Sequence, residues 1–500
     1  MADIDWTALG QVARAQLAQW GMDGPGGAIV VCDRDGPRLQ LAAGLADLAH
    51  GRPFGPDSMV RLASITKHVL AAMLLEAADT VSLDETLGQI DPATSPGLAG
   101  ISVQRALDMT SGLPDTRECL ALHGISAHVP LGAQACVDYS GTLDLLNIAP
   151  GAELSYTNTG YRLVEWGLRA RGLDFARFVD GLRARIAGCD LRAPELWGDV
   201  VPGLEPGYWS GSDGWQPGNQ GMPLSASGRV CGSALGLARW LGWLRGQVGI
   251  WSRLSRSGLM ADGRPSGYGL GLVQTVIAGR PLIGHGGSHP GYKSQFLVDE
   301  ASGLMVVVVA NREDANAAAM ARSVMAAGLG LRQPAACTFA DGLWLEDGGQ
   351  RWLRISGSTI CHMGASDTLV ASDRPGQVVG LSPTAPISLQ LHGTRIEGEI
   401  GHLPVAFSRV PDGFHVDAPD GEWLCDRTGA CLSIASGQVI QGIGPDRRVM
   451  PLTAIGPLQW LYRREDRPWP AEVLLVLDRD GRDITLSTAR ARGLPMGRVR

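Results

Sequence analysis

The first pair of residues that could do chemistry is a serine and a lysine three positions apart, Ser64 and Lys67. Residues at positions i and i+3 of a helix share a face, so the Ser64 hydroxyl and the Lys67 amine can come within hydrogen-bonding distance. A serine hydroxyl is a weak nucleophile until a base removes its proton, and a lysine whose pKa is lowered can act as that base. The spacing therefore predicts an activated, nucleophilic serine.

The composition of the basic residues adds weight to Lys67. The chain has 43 lysines and arginines together, and only two of them are lysines, Lys67 and Lys293. An arginine stays protonated in proteins, whereas a lysine amine can lose its proton near neutral pH. A lysine kept at position 67 in a chain that otherwise uses arginine therefore indicates proton transfer. Lys293 could line the mouth of the cleft or face the solvent, and we expect it to face the solvent.

A second motif, Tyr156-Thr157-Asn158, lies where a loop containing Gly and Ser enters a predicted helix. A tyrosine phenol beside a lysine ammonium can relay a proton and protonate a leaving amine. Asn158 can hydrogen-bond both Lys67 and a substrate carbonyl. By itself, the motif would more often belong to a structural tyrosine under a loop.

A third motif, His285-Gly286-Gly287, closes a predicted strand and runs into Ser288. Two glycines at the edge of a strand let a substrate backbone approach closely. A histidine there can supply a hydrogen-bond donor or a positive charge near the leaving group. Without the other two motifs, a plain turn capped by histidine would be the preferred interpretation.

Together these three motifs resemble, in order and spacing, those of the penicillin-recognising serine hydrolases: Ser-x-x-Lys, Tyr-x-Asn and a strand triad that is usually Lys-Thr-Gly. The stretches MVRLASITKHVLAAML, ALDMTSGLPD and GRVCGSALGLARWL resemble the class C β-lactamase-like branch. The resemblance covers roughly residues 10–330. His285 departs from the usual lysine, and within this branch that substitution is found in D-aminopeptidases, related D-amidases and many esterase-like members.

The resemblance implies a role for each motif residue. Ser64 would attack the carbonyl of an N-terminal D-residue, and Lys67, Tyr156 and His285 would complete the catalytic set, with the first two sharing the general-base role. Backbone N–H groups of Ser64 and Ser288 would form the oxyanion hole. The expected substrate-binding residues are Asn158, Gly286, Gly287 and Ser288. The implied substrate is a small molecule or short peptide with a free N-terminal amine, and no cofactor is needed.

Other activities remain open on the same motifs. A D,D-peptidase, a β-lactamase or an esterase could use the same serine and lysine. A non-catalytic binding protein that keeps the fold is the alternative from another class. Retention of one of only two lysines at position 67 argues against that last alternative.

The elements that must position these motifs can be predicted from hydrophobic periodicity. A turn, DRDG, separates two short strands at 27–33 and 38–45, and apolar residues at helical spacing predict a helix over 64–78. Helices and Gly/Pro-rich loops dominate 101–249 before strands return at 268–312, and a helix follows at 315–328. We therefore expect an α/β fold of the β-lactamase type, with an antiparallel sheet built from both ends, helices on both faces and a helical subdomain.

The remaining sequence predicts β structure. Residues 337–500 contain short β-like runs separated by Gly, Asp and Pro, which indicates small antiparallel barrels. We expect a catalytic domain at 1–331 and two barrels at 337–424 and 425–500. This arrangement resembles bacterial D-stereospecific aminopeptidases, whose third domain sends a loop into the active site. The candidate loop is 463–468, RREDRP, where a carboxylate could pair with the substrate ammonium; a solvated charged hairpin is the alternative.

Composition excludes several function classes. A net charge of -7 argues against nucleic-acid and anionic-membrane partners, and no apolar run approaches the ~18 residues of a membrane span. The acidic start does not resemble a signal peptide, and nine scattered cysteines favour free thiols in the cytoplasm. The histidines show no metal-binding spacing, so no metal is expected. The oligomeric state stays open, with a homodimer as one candidate.

Overall fold

A central sheet organises the first part of the chain in the computed structural model, which describes residues 4–466 and 468–499. The strands of this part are β1 (Gly27–Cys32), β2 (Pro37–Ala43), β3 (Leu45–Asp47), β4 (Arg52–Pro53), β5 (Val60–Arg61), β6 (Tyr208–Gly211), β7 (Gly214–Pro217), β8 (Cys231–Gly232), β9 (Val273–Ile277), β10 (Arg280–His289), β11 (Tyr292–Val298) and β12 (Met305–Ala310). Six of them form the sheet, in the order β2-β1-β12-β11-β10-β9, with every neighbouring pair antiparallel.

Helices cover both faces of this sheet. They are α1 (Trp6–Ala18), α2 (Thr66–Glu76), α3 (Leu87–Ile90), α4 (Pro96–Ala99), α5 (Val103–Leu107), α6 (Thr116–Leu122), α7 (Ala133–Leu143), α8 (Thr159–Ala170), α9 (Phe175–Arg185), α10 (Ala234–Gly246), α11 (Val248–Ser255) and α12 (Ala317–Gly328). Ten of the described helices, α2 to α11, lie between the second and ninth strands in sequence. The predicted α/β architecture, with strands from both ends and a helical insertion, is confirmed.

The central strands are apolar on both sides, as a covered sheet requires. Strands β1 (GAIVVC) and β12 (MVVVVA) are buried along their whole length. Because successive side chains point to opposite faces, Ile29 and Val31 pack with α1 and α12, whereas Val30 packs with α2 and the helical insertion. None of the described helices is long and apolar enough to cross a membrane.

The first barrel is a closed ring of eight antiparallel strands. They are β13 (Gly342–Glu346), β14 (Trp352–Ser356), β15 (Thr359–His362), β16 (Ala365–Ala371), β17 (Gln377–Gly380), β18 (Ile387–His392), β19 (Arg395–Ile400) and β20 (Leu403–Arg409). Each strand pairs with its neighbours along the chain, and β20 pairs with β13 to close the ring. The prediction of a small barrel after the catalytic domain is confirmed.

The second barrel has nine strands and is nearly closed. They are β21 (Gly421–Leu424), β22 (Cys431–Ala435), β23 (Gln438–Gln441), β24 (Arg448–Pro451), β25 (Thr453–Gly456), β26 (Gln459–Arg464), β27 (Ala471–Leu477), β28 (Ile484–Ser487) and β29 (Leu494–Arg498). The two edge strands, β24 and β25, are joined through Leu452 alone. Because β21 pairs with β22 and β29, the change of barrel falls within residues 410–420 rather than at the expected 424–425 border.

Candidate active site

Ser64 lies in a strained turn at the start of the buried helix α2. A 3-10 turn, Ala63–Ile65, leads directly into the helix, and Ala63 has a φ of 50°, which residues with a Cβ rarely adopt. The Thr66 hydroxyl donates to the Ala63 carbonyl at 2.7 Å and accepts from the backbone N–H of Val230 at 2.9 Å. These bonds fix the backbone on both sides of the Ser64 hydroxyl.

The Lys67 amine is completely buried and has three oxygen neighbours. Its Nζ lies 2.8 Å from Asn158 Oδ1, 2.7 Å from the Ser227 carbonyl and 3.2 Å from Ser64 Oγ. A neutral amine has two N–H groups and one lone pair. The amide oxygen and the carbonyl can only accept hydrogen bonds, so they take the two N–H groups and the lone pair faces Ser64.

Burial shifts the pKa values of Lys67 and Tyr156 in opposite directions. Loss of water lowers the pKa of Lys67 well below its usual value, and the positive charges of Arg490 and Arg117 lower it further. Burial raises the pKa of Tyr156 to about 12, although nearby Ser64 and Arg490 act in the opposite direction. The Tyr156 hydroxyl is buried and makes no hydrogen bond to the described residues. Burial therefore favours the neutral form of both groups, which suits one to accept a proton and the other to donate one.

Asn158 is held in place from behind by Asp115. One oxygen of the Asp115 carboxylate accepts from the Asn158 backbone N–H at 3.0 Å and from Nδ2 at 2.9 Å. Its other oxygen accepts from the N–H groups of Arg117 and Glu118, at the start of α6. The amide oxygen of Asn158 is consequently turned toward Lys67.

His285 lies beside the site but has its polar atoms occupied. Its Nδ1 is 2.5 Å from the Gly286 carbonyl, an acceptor, so Nδ1 carries the proton. The Tyr268 hydroxyl then donates to Nε2 at 2.7 Å. Burial lowers the pKa of His285 to about 3, so the ring is neutral. The ring centre is 6.1 Å from that of Tyr156, and a donor role toward substrate would require these bonds to rearrange.

The second glycine of the third motif is needed for close packing, whereas the first meets only the end of a flexible side chain. A Cβ at Gly287 would lie 2.2 Å from the Leu62 carbonyl oxygen, in the turn that carries Ser64. A Cβ at Gly286 would lie 2.6 Å from Gln295 Oε1. Strand β10 can therefore approach the nucleophile turn only with glycine at position 287.

Lys293 faces the cleft, so the expectation that it faces solvent is wrong. It is the cross-strand partner of Ser288, and its Nζ donates to Ser288 Oγ at 2.7 Å. It also forms a 2.5 Å ion pair with Glu313, and its side chain is only 20% exposed. The indole N–H of Trp469 donates to the same carboxylate at 2.9 Å, which links the second barrel to this edge of the sheet.

A cleft of about 910 Å³ brings the predicted residues together with both barrels. Seven of the eight predicted site residues line this cleft, and the eighth, Lys67, is buried beneath it. The seven are Ser64, Tyr156, Asn158, His285, Gly286, Gly287 and Ser288. The first barrel contributes Asp367, on strand β16, and Ser382, in a loop. The second barrel contributes Trp469 and Arg490.

The candidate loop at 463–468 does not bring a carboxylate into the cleft. Glu465 is exposed and paired with Arg463 at 2.6 Å, and the Asp466 carboxylate accepts from Ser126 Oγ at 2.7 Å. Arg467 lies outside the described residues. The cleft is reached instead by Trp469, just beyond that segment, and by the 488–493 loop between β28 and β29, which carries Arg490.

Several site residues have no motif in the sequence. They are Asp115, Arg117, Ser227, Tyr268 and Arg490. Only Asp115 left a usable signal, because Asp-Thr-Arg-Glu is typical of a helix start with an N-cap residue. The others are brought in by chain segments far from Ser64 in sequence. Within the described residues, no cluster of three His, Cys, Asp or Glu side chains could hold a metal ion.

Comparisons with known proteins agree with this geometry. The chain is 27% identical over 499 residues to a D-aminopeptidase of Cereibacter sphaeroides, which covers 92% of this chain and 93% of that protein. An octameric penicillin-binding protein homologue from Pyrococcus abyssi has the same fold, with a TM-score of 0.58, 15% identity and coverage of 99% of this chain and 100% of that one. A D-amino acid amidase from Ochrobactrum anthropi, complexed with D-phenylalanine, shares the fold of the catalytic part, with a TM-score of 0.52, 22% identity and coverage of 64% and 99%.

The family model supplies the assignment. The model described as Beta-lactamase matches residues 14–329, which include all three motifs and the whole central sheet. Both barrels lie outside this match, so they are additions to the family domain. This protein belongs to the beta-lactamase family.

Proposed function

We propose that this protein is a serine hydrolase that releases N-terminal D-residues from short peptides, amides or esters through a covalent ester on Ser64. The observation that carries the proposal is the buried Lys67 amine, whose two carbonyl acceptors leave its lone pair directed at Ser64 Oγ, 3.2 Å away. The preference for D-residues is supported by the curated relative named D-aminopeptidase, which is similar over nearly the whole chain.

Acylation begins with proton transfer from Ser64 to Lys67. As the proton moves to Nζ, Oγ forms a bond to the substrate carbonyl carbon, and the carbonyl oxygen becomes an oxyanion. In the proposal, backbone N–H groups of Ser64 and Ser288 bind this oxyanion. The C–N bond then breaks, and the leaving amine takes the phenolic proton of Tyr156.

Proton return from Lys67 to Tyr156 completes the first half of the reaction. Nζ lies 4.8 Å from the centre of the Tyr156 ring, close enough for transfer through a small shift or the leaving group. Both groups are then neutral again. In the second half, Lys67 takes a proton from water as the water attacks the ester, and the proton passes to Ser64 Oγ as the D-residue leaves.

The remaining motif residues position this machinery in our proposal. Asn158 holds the Lys67 amine and offers its amide to the substrate carbonyl. Gly286 and Gly287 allow strand β10 to approach both the nucleophile turn and the substrate. His285, neutral and bonded to Tyr268, acts as a positioning residue that fixes the rings around Tyr156 rather than as a proton donor.

The two barrels limit the length of the substrate. Residues from both barrels, including Asp367 and Trp469, line the cleft that holds Ser64. A folded protein or a long polymer cannot enter a space of about 910 Å³ that is bounded on several sides. Short peptides and amides fit this volume, which is in the usual range for small-molecule sites.

The decisive experiment compares D-alanine and L-alanine p-nitroanilides, N-acetyl-D-alanine p-nitroanilide, a chromogenic cephalosporin and a short-chain ester. We expect hydrolysis only with the D form and a free amine, together with some ester hydrolysis. Turnover of the cephalosporin alone would indicate a β-lactamase, turnover of the ester alone an esterase, and turnover of the N-acetylated substrate a D,D-peptidase. Each of these results would contradict the aminopeptidase proposal.

A serine-directed probe tests the nucleophile separately. We expect a fluorescent phosphonate to label the protein and labelling to disappear in Ser64→Ala. The matched control is Ser252→Ala, because Ser252 is exposed on α11 and away from the cleft. Full activity in Ser64→Ala, or no labelling of an active protein, would show that the mechanism is wrong and would favour the non-catalytic alternative.

For the compartment and assembly, we propose a cytoplasmic homodimer. The support for the compartment is the state of the cysteines, since all nine are free thiols and eight of them are buried or partly buried. Support for the dimer comes only from the expectation made from the sequence. The penicillin-binding protein homologue from Pyrococcus abyssi, which has the same fold, is described as octameric. Sedimentation velocity measures the number of copies, and a monomer or an octamer would contradict the dimer.

A further inference from the structure

Arg117 and Arg490 lie together at one end of the cleft, and among the described residues neither has a hydrogen-bonded carboxylate partner for its guanidinium. Arg117 lies in the first turn of α6, and Arg490 lies at the tip of the loop between β28 and β29. Both line the same cleft as Ser64. They come from different domains, so the site that they form exists only when the second barrel is docked on the catalytic domain.

Neither guanidinium is neutralised by a hydrogen-bonded ion pair. Within the described part of the chain, the Arg117 guanidinium contacts the Trp469 ring, 4.6 Å from its centre, and makes no hydrogen bond. The Arg490 guanidinium lies 5.0 Å from the centre of the Tyr156 ring, and its ion pair with Glu118 is long, at 3.7 Å. The other oxygen of Glu118 already accepts from Thr488 and from the Arg490 backbone.

Arg492, two residues further along the same loop, has a structural role and serves as a comparison. It forms a two-bond ion pair with Glu153, at 2.6 and 2.8 Å, and its side chain is only 13% exposed. By contrast, the side chain of Arg490 is 34% exposed and is directed to the cleft. Arg492 therefore holds the second barrel against the catalytic domain, whereas the Arg490 guanidinium is available to bind a ligand.

The backbone of Arg490 is fixed although its side chain is not. Its carbonyl accepts from the Asp115 backbone N–H at 2.8 Å and from Asn147 Nδ2 at 2.9 Å. Its own N–H donates to Glu118 Oε2 at 2.9 Å. A loop held at three points fixes the position from which the side chain extends, which lowers the entropy lost on binding.

The carboxylates nearest to these two arginines direct most of their hydrogen bonds to other groups. Lys293 is neutralised by Glu313, and Asp115 is committed to Asn158 and the start of α6. The carboxylate of Asp367, on the first barrel, accepts from the backbone N–H groups of Thr368 and Ser382. The positive potential of Arg117 and Arg490 is felt at Lys67, whose pKa both of them lower.

We propose that Arg117 and Arg490 bind a carboxylate on the leaving-group side of the substrate, so that short D-peptides with a free C-terminal carboxylate are preferred over the corresponding amides. The inference rests on the proposed function, which it narrows to peptides of two or a few residues. Arg490 packs against Tyr156, the residue that protonates the leaving amine. In a dipeptide the carboxylate is attached to the carbon next to that amine, which places it beside the two arginines.

The test compares D-alanyl-D-alanine with D-alanyl-D-alaninamide, which differ only in the terminal charge. The measured quantity is the ratio of kcat/KM for the acid to that for the amide. We expect a ratio of about tenfold or more, because hydrogen bonds to charged groups are the stronger ones. In Arg490→Gln and in Arg117→Gln the ratio should fall toward one. Arg479→Gln, an exposed arginine at a hairpin tip of the same barrel, should keep the wild-type ratio.

A second pair of substrates separates the two sources of a carboxylate. D-glutamic acid α-p-nitroanilide carries its charge on the side chain of the N-terminal residue, and the D-glutamine compound is its neutral partner. A preference for the glutamate substrate that depends on Arg490, without one for the dipeptide acid, would place the anion on the wrong side and overturn the proposal. A dipeptide ratio near one in the wild type would do the same.

Binding measurements keep this inference distinct from the proposed activity. D-alanine p-nitroanilide has no carboxylate, so failure to cleave it bears on the proposed function and not on the arginines. Calorimetry with Ser64→Ala measures whether D-alanyl-D-alanine binds about tenfold tighter than its amide, without any turnover. Equal affinity for the acid and the amide, or an affinity difference that persists in Ser64→Ala/Arg117→Gln, would show that these arginines do not bind the carboxylate.

Discussion

Replacing Lys67 by methionine removes the proposed general base with little change of shape. Lys67 is fully buried, so the methionine chain occupies the space of the lysine stem among the same neighbours. The substitution removes the amine that faces Ser64 and nothing else that touches the hydroxyl. Ser64 stays in its strained turn, because the hydrogen bonds of that turn come from Thr66 and Val230.

The expected loss follows from the role of the amine. A positioned general base contributes about 10²- to 10⁴-fold in rate, which corresponds to about 3–5 kcal/mol of activation free energy. Asn158 Oδ1 and the Ser227 carbonyl each lose a donor, at about 1–3 kcal/mol for a buried unsatisfied group. Removing a desolvated amine offsets part of that cost. We therefore expect kcat/KM to fall by about 10³ with a folded protein that is about 1–3 kcal/mol less stable.

The chain supplies its own control in Lys293→Met, since Lys293 is its other lysine. That amine also lines the cleft but contacts Ser288 and Glu313 rather than the nucleophile. Steady-state hydrolysis of D-alanine p-nitroanilide and urea unfolding give both quantities for the two variants. Lys67→Met with more than a tenth of wild-type activity, or an equal loss in Lys293→Met, would refute the assignment of Lys67 as the base.

Three other substitutions test the electrostatics and packing of the site. Arg490→Gln removes a cation that lowers the pKa of Lys67, so the acidic limb of the pH profile of kcat/KM should move to higher pH; an unmoved limb would count against the placement of that charge. Burial lowers the pKa of His68 to about 3, below its unfolded value of about 6.5, so the wild type should lose stability as pH falls between these values. His68→Gln keeps a hydrogen-bond acceptor but does not titrate, so this variant should lose less of its free energy of unfolding over the same pH range, as measured by urea unfolding at several pH values. Gly287→Ala places a Cβ 2.2 Å from a backbone oxygen of the nucleophile turn and should lower kcat/KM at least about tenfold, whereas Gly242→Ala, which meets no atom within 4 Å, should keep full activity.

Local patterns made part of this architecture predictable. Ser64 and Lys67 are neighbours on one helix face, so their contact depends only on helical geometry. The strands β1 and β12 are continuous apolar runs, which is the pattern of a sheet covered on both faces. The Gly286-Gly287 pair predicted close approach of a substrate backbone, and the structure shows that Gly287 also packs closely against the turn that carries Ser64.

Contacts between distant segments could not be predicted in this way. Arg490 reaches Tyr156 only because of the order of nine strands and the docking of the second barrel, and neither has a local signature. The charge of the 463–468 segment suggests a loop that enters the cleft, yet its described charges are satisfied elsewhere: Glu465 pairs with Arg463, and Asp466 accepts from Ser126. Arg464 is buried and donates to Gln441 and to the Gly124 carbonyl. Charge density therefore does not indicate which surface a loop will meet.

The same burial that suits Lys67 to the proposed role of base suits Tyr156 to the proposed role of acid. Loss of water disfavours the charged form of each, so it lowers the pKa of the lysine and raises that of the tyrosine. A nearby cation acts differently, because Arg490 lowers both values together and leaves their order unchanged. The catalytic domain therefore determines which group accepts the proton and which donates it. The second barrel adjusts the pH at which they do so, and a bound carboxylate would weaken that adjustment while the substrate occupies the cleft.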